Sequence, residues 1–177
     1  MEARDFITEG HAIRLEKIAF IMAKKLGFSE SKTNDLRLLA KFHDIGKVGI
    51  PDSILQKPAR LTPEEKKVMQ MHSLIGQRIA SASPELIPIA DLILKHHENW
   101  DGTGYPLGIK ADNIPIECRI LSLADAFDAM TNDRPYRKAM SEDMAIEEIR
   151  RCKGTQFDPE LAQLFIELVQ AKAFSNY

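Results

Sequence analysis

Apolar residues recur three and four positions apart along most of this chain, the spacing of one face of an α-helix. The stripes predict helices near 8 to 26, 31 to 45, 63 to 81, 84 to 97, 115 to 132, 141 to 152 and 159 to 172. Three of the predicted starts are punctuated alike: Thr62-Pro63-Glu64, Ser83-Pro84-Glu85 and Asp158-Pro159-Glu160 each set a capping side chain, a proline and an acid in order. Thr62 with Glu65 also fits a capping box, and Gly27 and Gly154 read as helix stops. No segment alternates apolar and polar residues around a hairpin signal, and no repeat recurs at a fixed period. The expected fold is therefore all-α, a compact helical bundle of about seven helices. One long irregular stretch breaks the pattern, Asn99 to Asn113, which holds Gly102, Gly104, Pro106 and Gly108. A loop of that length inside a compact domain usually carries function.

Length and composition narrow the picture further. The 177 residues suit a single domain spanning 1–177 with its own core. The formal net charge of -2 provides no global positive field, so no polymeric nucleic acid is expected as a partner; a small anionic ligand needs only a local basic cluster. The start, Met1 to Asp5, lacks the basic end and apolar core of a secretory signal. No apolar run approaches the roughly 18 residues of a membrane span, so no membrane insertion and a cytoplasmic location are expected. Cys118 and Cys152 stand far apart with no CxxC pair, and read as reduced thiols rather than zinc ligands or a disulfide.

The chemistry concentrates in the histidines. There are five, His11, His43, His72, His96 and His97. All fall on predicted helices, and each continues an apolar stripe: His11 with Leu15 and Ile18, His43 with Leu36 and Leu39, His72 with Val68 and Ile75, His96 with Ile89 and Ile93. They therefore point inward. Asp44 follows His43, and Asp125 shares a stripe with Leu121, Asp128 and Ala129, so these carboxylates face the interior too. One buried histidine is ordinarily a hydrogen-bonded core residue. Several imidazoles and carboxylates buried together demand mutual neutralisation or a cation among them. Nitrogen and oxygen donors without nearby sulfur suit borderline divalent ions, Fe, Mn, Ni or Zn. The candidate ligands exceed what one catalytic ion uses, so two ions sharing a bridging carboxylate fit better, and phosphoester hydrolysis is the default chemistry of such a pair.

At His43-Asp44-Ile45-Gly46-Lys47 and the Val48 to Asp52 segment after it, the sequence resembles a known family. With His96 to Pro106 (HHENWDGTGYP) and Asp133 to Met140 (DRPYRKAM), it is similar to the HD-GYP branch of the HD phosphohydrolases, over nearly the whole chain. The resemblance implies an HD-domain helical bundle with a GYP loop. It also implies a two- or three-metal centre ligated by His11, His43, Asp44, His72, His96, His97 and Asp125, with Asp44 as the bridge. It further implies a bacterial signalling role, in which cyclic di-GMP is hydrolysed to pGpG and, in some members, on to GMP. Members with a third metal carry a glutamate one turn before the first histidine; Ile7 stands there, which favours two ions, Fe or Mn first. Family members commonly sit behind a sensor or receiver domain, so such a domain, a GGDEF-type protein and a second copy of the chain are the partners implied.

Further groups fit the same reading. Lys47, one turn after His43, is expected to neutralise a phosphate oxygen beside the catalytic Asp44, unless it is a solvated surface lysine. Arg134 and Arg137 offer two guanidinium forks for phosphate, although Pro135 between them makes a plain basic turn an alternative. Tyr105 or Trp100 is expected to stack on a guanine face, unless either only pins the loop to the core. The glycine-rich loop lacks the ending of a nucleotide P-loop, HExxH fails because position 101 is Asp101, and no GxSxG segment exists. The expected enzyme is a metal-dependent phosphodiesterase using a hydroxide that bridges the two ions. The alternatives are a domain that binds cyclic di-GMP or a partner without hydrolysis, and a hydrolase of another nucleotide.

Overall fold

A computed structural model of the protein describes residues 9–133 and 138–174. Among these residues the structure is helical, with an isolated bridge between Lys153 and Phe157 as the only strand-like pairing. In chain order come α1 (Glu9–Lys25), α2 (Glu30–Phe42), a 3-10 turn at Ile45–Gly49, the single turn α3 (Asp52–Leu55), α4 (Pro63–Gln70) and α5 (His72–Ser81). A 3-10 turn at Ile87–Ile89 leads into α6 (Ala90–Lys95). A long loop with a 3-10 turn at Ala111–Asn113 precedes α7 (Ile116–Thr131), α8 (Glu142–Arg151) and α9 (Pro159–Gln170). No helix among the described residues is long and apolar enough to cross a membrane.

The all-helical expectation holds, and several local signals act as read. Thr62 and Glu65 form a reciprocal capping box at α4, and the Asp158 carboxylate accepts from the Glu160 and Leu161 N–H groups at α9. The apolar stripes of α1, α2, α7, α8 and α9 meet in one cluster that buries Leu15, Met22, Leu39, Leu121, Ile149 and Phe165. Each such side chain contributes roughly 1.5–3 kcal/mol by leaving water. Packing of α1 on both α2 and α7 brings His11 opposite Asp125 and Asp128.

Two predicted helices are revised. The helix expected over 63 to 81 is two, parted at Met71, whose N–H bonds Val68 O three residues back, and the His72 ring reaches the Met69 carbonyl. The helix expected from 84 is a turn and a 3-10 segment until Ala90. Pro88 lacks the N–H that a regular second turn would need, so the ladder there runs in three-residue steps, Leu86 to Ser83 and Ile89 to Leu86.

Close backbone contact fixes the segment after α2. A Cβ on Gly46 would lie 1.9 Å from His72 O and 2.4 Å from Gly76 N, so only glycine lets the 3-10 turn lie flat on α5. That contact sets Asp44 and Lys47 beside His72.

Candidate metal centre

Two of the five rings, His43 and His96, stand at helix C-termini and His97 just beyond, not within helices as the sequence pattern suggested, whereas His72 opens α5 and His11 lies in α1 as expected. His43 caps α2, His96 caps α6, and His72 follows the end of α4, while His97 lies just beyond His96. Each capping ring does the same thing. Nδ1 of His43 donates to Ala40 O (3.1 Å), that of His72 to Met69 O (2.8 Å) and that of His96 to Ile93 O (2.6 Å). A carbonyl can only accept, so the proton is on Nδ1 and the Nε2 lone pair is left open. The bond also satisfies one of the carbonyls that a helix end leaves without a partner. His11 lies in the first turn of α1, and its Nδ1 donates to the Asp128 carboxylate at 2.8 Å.

The open nitrogens converge. Nε2 of His72 is 3.3 Å from Nε2 of His96 and 3.2 Å from Nε2 of His97. Asp44 lies between two groups, with Oδ1 3.5 Å from His72 Nε2 and Oδ2 3.3 Å from His43 Nε2. Across from it, His11 Nε2 is 3.6 Å from Asp125 Oδ1. The donor atoms fall into two sets, Asp44 with His72, His96 and His97, and His11 with His43 and Asp125, each set mutually within 4.8 Å. His11, His43, Asp44, His72 and His96 are buried; Asp125 is about one-third exposed at its side chain (32%), so the expectation of an inward carboxylate is met only in part.

These residues fit a divalent ion. The His72 and His96 lone pairs face one another with no proton between them, an arrangement that a cation relieves. Ligands held about 2.0–2.1 Å from one ion at 90–109° stand roughly 2.9–3.4 Å apart, which spans the observed nitrogen separations. Electrostatics agree. Burial first, then the neighbouring imidazoles, holds His96 and His97 well below the ordinary 6.5, and burial also lowers His72. Burial opposes the charged form of His43, yet the Asp44 carboxylate outweighs it and the net shift is upward. Burial would raise Asp44, but His43 and Lys47 overcome it and keep the carboxyl ionised well below 3.8.

A cavity of about 340 Å³ opens over the cluster, within the range of small-ligand sites. Lys47 lines it, its ammonium 2.7 Å from Asp44 Oδ2 and its side chain largely covered, which removes the solvated-lysine alternative. Tyr105 lines it as well, with its ring stacked on His97 at 4.8 Å. The GYP loop folds back tightly, with Tyr105 N–H on His97 O and a Gly104 Cβ that would stand 2.3 Å from Asn99 N. Glu98, buried beneath, accepts from the Leu107 N–H. Trp100 does not line the cavity; the Arg119 guanidinium lies over its ring and its N–H donates to Gln156 O, so it pins the loop. Arg134, Arg137 and Ile7 lie outside the described residues.

Sequence reasoning missed Asp128, which holds His11, and the polar mouth formed by Lys66, Gln70, Asn99, Thr103 and Gln156. A signal existed for the first: Asp125 and Asp128 stand three apart on one helix, as do His11 and Arg14 on the helix opposite, and Arg14 pairs with Asp128.

Family comparison follows this geometry. The HD domain family model matches residues 2–161. This chain belongs to the HD domain family. Within the HD domain family its branch is HD-GYP, in keeping with the His43 to Asp52 and His96 to Pro106 segments and with its relatives. A cyclic di-GMP phosphodiesterase of Thermotoga maritima is 43% identical over 169 residues, covering 94% of this chain and 46% of that protein. A 3'3'-cGAMP-specific phosphodiesterase 2 of Vibrio cholerae is 38% identical, covering 94% of this chain and 32% of that one. The crystal structure of the V-cGAP3 cyclic GMP-AMP phosphodiesterase from V. cholerae superposes with a TM-score of 0.71 at 23% identity, covering 96% of this chain and 47% of that chain, a likeness of fold. The chain spans less than half the length of the curated relatives it matches.

Proposed function

We propose that this HD domain is a metal-dependent phosphodiesterase acting on a cyclic dinucleotide, with cyclic di-GMP as substrate and pGpG as first product. The observation that carries the reading is the convergence of two adjoining sets of ligand atoms under one open cavity, with Asp44 offering one oxygen to each set. His72, His96 and His97 with Asp44 would hold one ion; His11, His43 and Asp125, sharing Asp44, would hold the second. When bound, such a pair supplies Lewis-acid stabilisation of charge at phosphorus and lowers the pKa of water. Nitrogen and oxygen donors suit borderline divalent ions; iron or manganese is the proposed pair, with nickel or zinc as alternatives.

The chain's own groups do the rest. Lys47 holds its ammonium at the edge of the cluster, where it balances charge gathering on a non-bridging phosphate oxygen. Tyr105, backed by His97, presents a flat face to a ribose or base. Arg134 and Arg137 belong to the reading as phosphate contacts on sequence grounds. The amides of Gln70, Asn99 and Gln156 at the mouth can each donate and accept, which suits the Watson–Crick edge of a purine. Because relatives named for cyclic di-GMP and for 3'3'-cGAMP match this chain alike, another cyclic dinucleotide is the second reading. A non-hydrolysing binder fits less well, since every ligand position holds a side chain able to bind metal.

Product chromatography after anaerobic purification and metal analysis tests the assignment, on a panel of cyclic di-GMP, 3'3'-cGAMP and cyclic di-AMP. Linear dinucleotide from cyclic di-GMP is the expected result. His43→Ala and Asp44→Ala should abolish it while helical circular dichroism persists; turnover retained in either refutes the assignment. A sensor or receiver domain and a GGDEF-type protein remain the regulatory partners of this reading, with a homodimer to be sought by size-exclusion chromatography.

A further inference from the structure

The rings of the centre are not all held by the same means. His43, His72 and His96 are fixed by main-chain carbonyls, which no substitution can remove. His11 is fixed by a side chain: its Nδ1 donates to Asp128 Oδ2 at 2.8 Å. Asp128 is only 3% exposed, and four donors meet its two oxygens. They are His11 Nδ1, Arg14 Nε, Arg14 Nη2 (3.0 Å) and Asn132 Nδ2 (3.0 Å). Each ligand set has one part-exposed member, Asp125 (side chain 32% exposed) in the set of His11 and His97 in the other, but the set of His11 brings three ligands of its own against four.

We propose that Asp128 is a positioning residue for one ion position, holding His11 with its Nε2 free to ligate, and that this position is the weaker and more readily exchanged of the two. The proposal rests on the reading of the cluster as a two-ion centre. A carboxylate can only accept, so it holds the His11 proton on Nδ1 and leaves the Nε2 lone pair free to ligate. An amide in its place has one acceptor where four donors converge. With that oxygen turned to Arg14 and Asn132, its NH2 faces His11, the ring must accept at Nδ1, and the proton moves to Nε2, where it blocks ligation. The outer tie to Arg14, whose side chain is 42% exposed, serves helix packing and is separable from this effect.

The test uses metal-free protein titrated with Mn²⁺, read by calorimetry and by metal content after desalting. Wild type is expected to bind two ions of unequal affinity. Asp128→Asn should retain the tighter ion at wild-type affinity and bind the other about 10–100-fold more weakly. Arg14→Met, which cuts the interhelical tie but leaves Asp128 facing His11, should bind both. Wild-type binding of both ions by Asp128→Asn, or loss of the same ion by Arg14→Met, overturns the proposal. If Asp128→Asn does not fold, the wild type decides by chelator competition: two classes of ion, the weaker removed by His11→Ala, support the proposal, and two equal ions overturn it. Wild type that binds no Mn²⁺ removes the two-ion reading itself, and with it this inference, which no behaviour of the Asp128 variant alone could do.

Discussion

Gly46→Ala makes the sharpest test of how the centre is built. The added Cβ would stand 1.9 Å from His72 O, 2.4 Å from Gly76 N and 2.9 Å from Gly76 Cα. All three are main-chain atoms, so no side chain can swing aside, and the 3-10 turn must retreat from α5 by roughly 1 Å to reach a tolerable contact. Overpacking of this kind costs about 1–3 kcal/mol. For a chain of this size each kcal/mol lowers Tm by roughly 2–4 °C, so a fall of about 2–12 °C is expected. The larger consequence is local. Asp44 and Lys47 flank Gly46 and travel with it, whereas metal–ligand distances tolerate only about 0.2 Å. A displacement of about 1 Å should weaken ion binding and reduce turnover about 100-fold. Differential scanning calorimetry, metal content and product chromatography read the three effects separately. A variant with wild-type Tm, two bound ions and turnover within about threefold of wild type would refute the claim that this backbone contact sets the ligand geometry.

Two further predictions follow from the electrostatics. Lys47→Met should lower kcat about 10²–10³-fold with ion stoichiometry unchanged, because the ammonium balances charge on substrate and is not a ligand; an unchanged kcat excludes it from the reaction. The metal-free protein should lose stability as pH falls from about 7 to 5. Burial and neighbouring imidazoles hold His96, His97 and His72 below 6.5, so in that range the unfolded chain takes up protons that the folded chain refuses; the upward shift of His43 opposes this with one group against three. The depressed Asp44 carboxyl adds stability that is constant above its ordinary 3.8 and is lost only as pH falls below it, outside this window. A Tm equal or higher at pH 5 than at pH 7, measured in chelator, contradicts the reasoning.

Much of the centre was legible because its donors are rare residue types on apolar stripes. Five histidines and two acids on those stripes are the residues that the fold brings together in the two ligand sets. Helix starts were equally readable wherever a local cap decided them, as at Thr62 and Asp158. Illegible features depended on contacts between distant segments. Nothing near Met71 announces a helix break, for neither a proline nor a glycine stands there, and the His72 ring on the Met69 carbonyl is seen only in the folded chain. For Trp100 the sequence left stacking and loop-pinning open alike; its neighbour Arg119, which comes from α7, cannot be inferred from spacing. Asp128 was visible on the right stripe but had no assigned task, because the periodicity of one helix does not name its partner on another.

The loop that roofs the cavity is stitched to the turn after α8: the Trp100 and Asp101 N–H groups donate to the carbonyls of Gln156 and Thr155, and Gln156 itself lines the mouth. One jamb of the doorway thus comes from the turn between α8 and α9, although every residue proposed to bind an ion comes earlier in the chain. A fragment trimmed after α7 would keep the whole hinge of donors and still lose the door frame.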